Sequence, residues 1–223
     1  MTVSVEDVAG KIREVGIVPV LRASSSEQAL VAAEAVSRGG IPIVEVTMTV
    51  PRAVEVIAQL ARSARTKVLI GAGTVLDAET AERCLDAGAL FIVSPGLDRE
   101  TIEAVKRRGA LMMAGALTPT EVIAAWKGGS DFVKIFPCGA MGGARYLKAL
   151  KAPLPQVPMI PTGGVNLETA GDLIRAGAEA LGIGGELVSA AALAAGDGEA
   201  IAQAARQYVS IVRQTREENK AQR

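Results

Sequence analysis

Two stretches set a charged side chain in surroundings suited to a core. DFVKIFP, residues 131–137, carries Lys134, and PIVEVT, residues 42–47, carries Glu45. A charge inside an apolar strand loses hydration that only a partner or a function replaces. An amine in an apolar cup holds its proton less tightly, so part of it is free to attack a ketone and form a protonated imine. A carboxylate beside that imine can take a proton from the substrate, and an arginine can hold a substrate carboxylate. Arg22, which ends IVPVLR, and Thr74, in GAGTV, bring two further polar groups to strand ends. A buried Lys–Glu ion pair without chemistry is the simpler alternative. Four polar groups converging on one cup favour a site.

Other chemistries are excluded by composition. The chain has no histidine, which removes Ser-His-Asp and Cys-His nucleophile systems and histidine-based zinc sites. Cys84 and Cys138 are the only cysteines, too few for a disulfide framework. Acidic and basic residues balance at 24 each without long runs of one sign, so the expected partners are small molecules, not nucleic acid or a membrane surface. No apolar run approaches the roughly 18 residues that span a bilayer, and residues 1–15 read as an amphipathic helix, not a signal peptide. A cytoplasmic location is expected.

The elements that must position these residues repeat along the chain. IVPVLR, PIVEVT, KVLIGAG, LFIVSPG, LMMAG, DFVKIF, PMIPTGG and ALGIGG read as strands. Segments such as SEQALVAAEAVSRGG and ETAERCLDAGA between them show helical spacing, with closing glycines at Gly39, Gly88, Gly109, Gly128 and Gly177. Strand–helix units imply parallel strands, and eight of them imply a closed (β/α)₈ TIM barrel more than a doubly wound open sheet. One domain spans 1–223, with an N-terminal helix over 1–15 and a last helix from about Gly198 that frays over 216–223. Alternation along strands turns Phe132, Lys134 and Phe136 into the barrel, with Val133 and Ile135 facing helices. The same counting turns Ile43, Glu45 and Thr47 inward, so Glu45 and Lys134 approach each other across the barrel at its catalytic end.

A second constellation lies at the last two strands, where PTGGVN and GIGGEL place glycine pairs after strands 7 and 8. Glycine pairs let backbone N–H groups approach an anion, and these loops bind phosphate in many barrels. Each pair alone fits a helix-capping turn equally well. Together they point to a phosphate or similar anion.

In order and spacing, VPVLR, VEVT, GAGTV, FIVSPGLD, the TPTE after AGAL, VKIFP and PTGGVN resemble the 2-keto-3-deoxy-6-phosphogluconate (KDPG) and 4-hydroxy-2-oxoglutarate (KHG) aldolases over nearly the whole chain. The resemblance implies a class I lyase in which Lys134 forms the imine with pyruvate and Glu45 is the acid/base. It also implies that Thr74 and Pro95 line the pyruvate end, that Phe136 walls it, and that Thr162, Gly163, Gly164, Gly184 and Gly185 hold the distal phosphate. Thr47, beside Glu45 in VEVT, joins the expected substrate-binding set. The implied reaction is reversible cleavage of KDPG to pyruvate and glyceraldehyde 3-phosphate, as in the Entner–Doudoroff route, with cleavage of KHG to pyruvate and glyoxylate as a second reaction of the family, no metal or organic cofactor and a homotrimeric assembly.

Three positions depart from the family pattern. Thr49 stands where some members carry an arginine, so carboxylate binding falls to Arg22. Ala114 replaces a common proline. Gly185 and Glu186 follow Gly184 where many members read Gly-Ser, whose hydroxyl contacts the phosphate. Glu186 reads as a first-turn helix residue, Trp126 as packing and Cys138 as a small buried filler. Other functions remain open: an aldolase for a galactonate-type or unphosphorylated 2-keto-3-deoxy acid, a phosphate-binding isomerase or epimerase with Glu45 as base, or a sugar-phosphate sensor without turnover.

Overall fold

A computed structural model of the chain describes residues 3–63 and 68–221. Its strands are β1 (Ile17–Leu21), β2 (Ile43–Thr47), β3 (Leu69–Gly73), β4 (Phe91–Val93), β5 (Leu111–Ala116), β6 (Phe132–Ile135), β7 (Met159–Pro161) and β8 (Leu181–Ile183). They match the eight apolar runs in the sequence; Lys67, at the start of the third run, lies outside the described residues. Neighbours pair in parallel in the order β7-β6-β5-β4-β3-β2-β1-β8. A bridge between Thr162 and Gly182 then joins the two ends into a ring. The strands are almost entirely buried, as expected of a parallel sheet covered by helices outside and side chains inside.

Among the described residues ten α-helices surround the strands: α1 (Val5–Val15), α2 (Ser26–Arg38), α3 (Ala53–Arg62), α4 (Ala78–Asp86), α5 (Arg99–Arg107), α6 (Pro119–Lys127), α7 (Ala144–Lys151), α8 (Ala170–Arg175), α9 (Ala190–Ala195) and α10 (Gly198–Ala221). Side-chain caps start many of them: Ser25, Asp77, Asp98, Thr118 and Ser189 each accept a backbone N–H in the first turn. The N-terminal helix begins at Val5 instead of at the start of the chain, because Ser4 and Asp7 form a capping box. This helix covers the end of the barrel opposite the strand C-termini. Its Arg13 lies 5.1 Å from the centre of the Phe132 ring and pairs with Glu179 at 3.0 Å.

Two expectations need correction. The last helix does not fray over 216–221 but continues to Ala221; Gln222 and Arg223 lie outside the described residues. The reason is long-range: the Arg216 guanidinium donates to the carbonyls of Arg13, Glu14 and Glu179, Thr215 is buried, and Glu218 pairs with Arg175. Trp126, expected to pack, is 38% exposed on α6. Cys138 is buried as expected, and burial pushes its thiol up to about 11, away from reactivity.

Candidate active site

Strands β2 and β6 bring the two charged residues together inside the barrel. Lys134 is 5% exposed and Glu45 2%, and Lys134 Nζ stands 3.8 Å from Glu45 Oε1. That separation suits an ion pair but not a hydrogen bond, and Oε1 has no donor among the described residues. A buried neutral acceptor without a donor costs about 1–3 kcal/mol, and a charged one more. A pair kept for stability alone gains by closing the gap. This one leaves the amine and one carboxylate oxygen open to a third group. Burial raises the Glu45 pKa above its ordinary value, and the attractions of Lys134 and then Arg22 offset that only in part. Phe136 supplies the wall, its ring centre 5.5 Å from Lys134 Nζ.

The neighbouring strand ends complete the cup. Thr74, half-buried just beyond β3, holds a left-handed backbone at φ 58°. A side-chain-bearing residue held in a sparsely populated backbone region costs about 1–3 kcal/mol and is typically maintained where a group must be aimed. Pro95 reaches the cup through Gly115, which pairs with Lys134 in the β5–β6 register. A Cβ on Gly115 would lie 2.2 Å from the Pro95 carbonyl carbon. Ser94 fixes this turn by donating to the Gly96 carbonyl at 2.7 Å and accepting the Gly115 N–H at 3.2 Å. Thr47 is different. Its hydroxyl donates to the Leu21 carbonyl at 3.0 Å and lies 2.6 Å from Thr49 Oγ1, so it ties β2 to β1 and offers substrate no proton.

Beside the cup, a cleft of about 240 Å³ runs to the turns after β7 and β8, lined by Arg22, Phe136, Thr162 and the glycine pairs. Gly163 and Gly164 have φ of 86° and 76°, conformations open to glycine. The N–H groups of Cys138 and Gly139 hold this turn from outside through the Thr162 and Gly163 carbonyls. The N–H groups of Gly163, Gly164 and Val165 have no acceptor among the described residues. Across the cleft, the Gly184 carbonyl accepts the N–H groups of Leu187 and Val188 at 3.0 Å each, leaving those of Gly185 and Glu186 without an acceptor among the described residues. Arg22 is exposed and makes no salt bridge among them. It lines this cleft while its charge acts on Glu45, so it stands between the two ends of the site.

Glu186 is not a helix residue: it lies in a turn ahead of the Ser189 cap of α9, exposed, and lines the cleft. Asn166 likewise precedes its helix. Its side chain accepts the N–H groups of Glu168 and Thr169, and α8 starts at Ala170. Val20, Val165 and Asn166 also line the cleft and were not singled out from sequence; nothing in their residue types marks them. Volume alone does not mark the site either, because a groove of about 380 Å³ lies on the outer wall between α5 and α6.

The parallel (β/α)₈ barrel with an amine and a carboxylate buried side by side at its strand ends is that of an imine-forming lyase. A family description for KDPG and KHG aldolases matches residues 8–204, and the chain belongs to that family. The 2-dehydro-3-deoxy-phosphogluconate aldolase of Haemophilus influenzae is 32% identical over 174 residues, covering 78% of this chain and 82% of that protein. The crystal structure of the KDPG aldolase from Legionella pneumophila with pyruvate captured as a covalent carbinolamine superposes with a TM-score of 0.82 at 30% identity, covering 89% of this chain and 96% of that one. The Zymomonas mobilis aldolase with 3-phosphoglycerate gives 0.84 at 28% identity, covering 93% and 97%.

Proposed function

We propose that the chain cleaves KDPG reversibly to pyruvate and glyceraldehyde 3-phosphate through a Schiff base on Lys134. The observation that carries this reading is the buried Lys134–Glu45 pair held 3.8 Å apart, with Oε1 without a hydrogen-bond donor among the described residues. Lys134 Nζ attacks the substrate C2 carbonyl, and the carbinolamine loses water to give a protonated imine. Glu45 takes the C4 hydroxyl proton, the C3–C4 bond breaks, and its electron pair moves into the imine to form an enamine. The aldehyde leaves, Glu45 returns the proton to C3, and water releases pyruvate from Lys134. Arg22 and Thr74 hold the carboxylate end. The unpaired N–H groups of the two glycine turns, with Thr162, hold the distal phosphate. The test is borohydride reduction with pyruvate. It should add mass to the Lys134 peptide and nowhere else; labelling elsewhere moves the imine to another lysine and overturns the assignment, and no labelling overturns the mechanism in favour of an isomerase or epimerase with Glu45 as base and Lys134 as electrostatic stabiliser.

A second substrate class is supported by one observation, the turn that reads Gly185-Glu186 without a hydroxyl. It lowers the demand for phosphate and leaves KHG, or a galactonate-type or unphosphorylated 2-keto-3-deoxy acid, as competitors. A pyruvate-release screen over these substrates ranks them, and no release from any of them identifies a sensor. We further propose a cytoplasmic homotrimer. Exposed Leu76, Met141 and Leu167, in loops after β3, β6 and β7, provide apolar surface around the site face. Sedimentation giving a monomer removes that proposal.

A further inference from the structure

Strand β3 reads Leu-Ile-Gly-Ala-Gly, and its two glycines leave blanks along the barrel interior that neighbours fill. A Cβ on Gly71 would meet the Phe91 ring at 2.1–2.3 Å. A Cβ on Gly73 would meet Glu45, 1.9 Å from Oε1 and 2.5 Å from both Cδ and Cγ. The register explains the second contact. Glu45 pairs with Gly71 and Thr47 with Gly73, so the Glu45 side chain leans diagonally along the sheet and lays its carboxylate over Gly73. Gly73 has no left-handed backbone, so an alanine meets no conformational objection there. The three nearest atoms that require the space all belong to the Glu45 side chain.

From this we infer that Gly73 is a positioning residue for the reaction: its missing side chain is the seat that sets Glu45 beside Lys134. The inference rests on the proposed role of Glu45 as base. Contacts below 3 Å must be relieved, and Glu45, held by buried β2, can yield only by swinging its carboxylate out of the seat. The amine keeps its own strand and surroundings, so imine formation and proton transfer should separate.

Gly73→Ala should therefore lower deuterium exchange into the pyruvate methyl by at least about tenfold while borohydride still traps pyruvate on Lys134. Adding Glu45→Gln should bring exchange only to the level of Glu45→Gln alone, short of the product of the two losses. Gly71→Ala, crowding Phe91 instead, should lower stability and leave the ratio of exchange to trapping unchanged. If Gly73→Ala folds poorly, thermal melts decide: the cost should vanish in the Glu45→Ala background, where the three crowded Glu45 atoms are gone. An equal cost in both backgrounds, or wild-type exchange in Gly73→Ala where Glu45→Gln has lost it, overturns this inference alone. Undiminished exchange in Glu45→Gln overturns it together with the role of Glu45.

Discussion

The two ends of the site are built from different materials. At the proposed pyruvate end the groups assigned to the chemistry are side chains, Lys134 and Glu45, sealed into β6 and β2 at 5% and 2% exposure. At the distal end they are backbone N–H groups of turns after β7 and β8, with exposed Arg22 and Glu186 at the rim. A buried side chain has few positions open to it, so the inner end tolerates little change and fixes the bond that breaks. A turn with a charged rim can be retuned by one substitution. On the proposed mechanism the reaction is thus held by the strands and the substrate chosen by the loops.

Substitutions can break that contrast, and the largest effect belongs to the inner end. Lys134→Arg keeps a cation without a usable nucleophile, so aldol cleavage and borohydride trapping should both disappear. Glu45→Gln should lower methyl exchange by about 10² to 10⁴ while trapping persists; a loss under about tenfold assigns the proton to another group. The same carboxylate sets a pH dependence. Its pKa is raised above 4.5 by burial, and a protonated carboxyl cannot accept a proton. Activity should fall on acidification with an apparent pKa above 4.5, and in Glu45→Gln that acid limb should vanish. A limb at or below 4.5 in the parent enzyme contradicts the buried geometry.

Smaller effects are expected at the rim, and there they should depend on phosphate. Gly185→Ser restores a hydroxyl at a position with no heavy atom within 4 Å of an added Cβ. A hydrogen bond to a charged group is worth about 1.5–3 kcal/mol, so KM for KDPG should fall by about tenfold or more, with the unphosphorylated acid unaffected. Glu186→Gln should lower the same KM by only a few-fold, since rim charges are screened by solvent and salt. Equal gains on both substrates would show that the turns do not read phosphate.

The contrast also governs what the sequence discloses. Lys134 and Glu45 announce themselves, since charge inside an apolar run conflicts with its surroundings and strand alternation gives the direction. Alternation likewise recovers the barrel, because each strand is short, apolar and set off by glycine. A bare N–H group has no letter of its own, so the distal site reads only as paired glycines, and the position of Glu186 depends on where a turn ends. Gly73 is hidden similarly, its inferred role belonging to Glu45 on the adjacent strand β2. The tail deceives for a third reason. REENKAQR is polar but for Ala221, and only the fold supplies the α1 carbonyls that Arg216 caps.

The ring of strands is joined between β7 and β8 by the Thr162–Gly182 bridge, with no register of paired residues like those along the other junctions. Beside that bridge, among the described residues, only the Glu179 N–H, donated to the Met159 carbonyl at 2.9 Å, ties the junction, a zipper with few teeth engaged, and the two glycine turns sit directly above it. A dianion gripping both turns would act as a clasp. Amide protons around Thr162 and Gly182 should then exchange with solvent faster than those of β2 and β3 in the free protein and slow most when phosphate ligand is added, because local opening there separates the halves of the clasp.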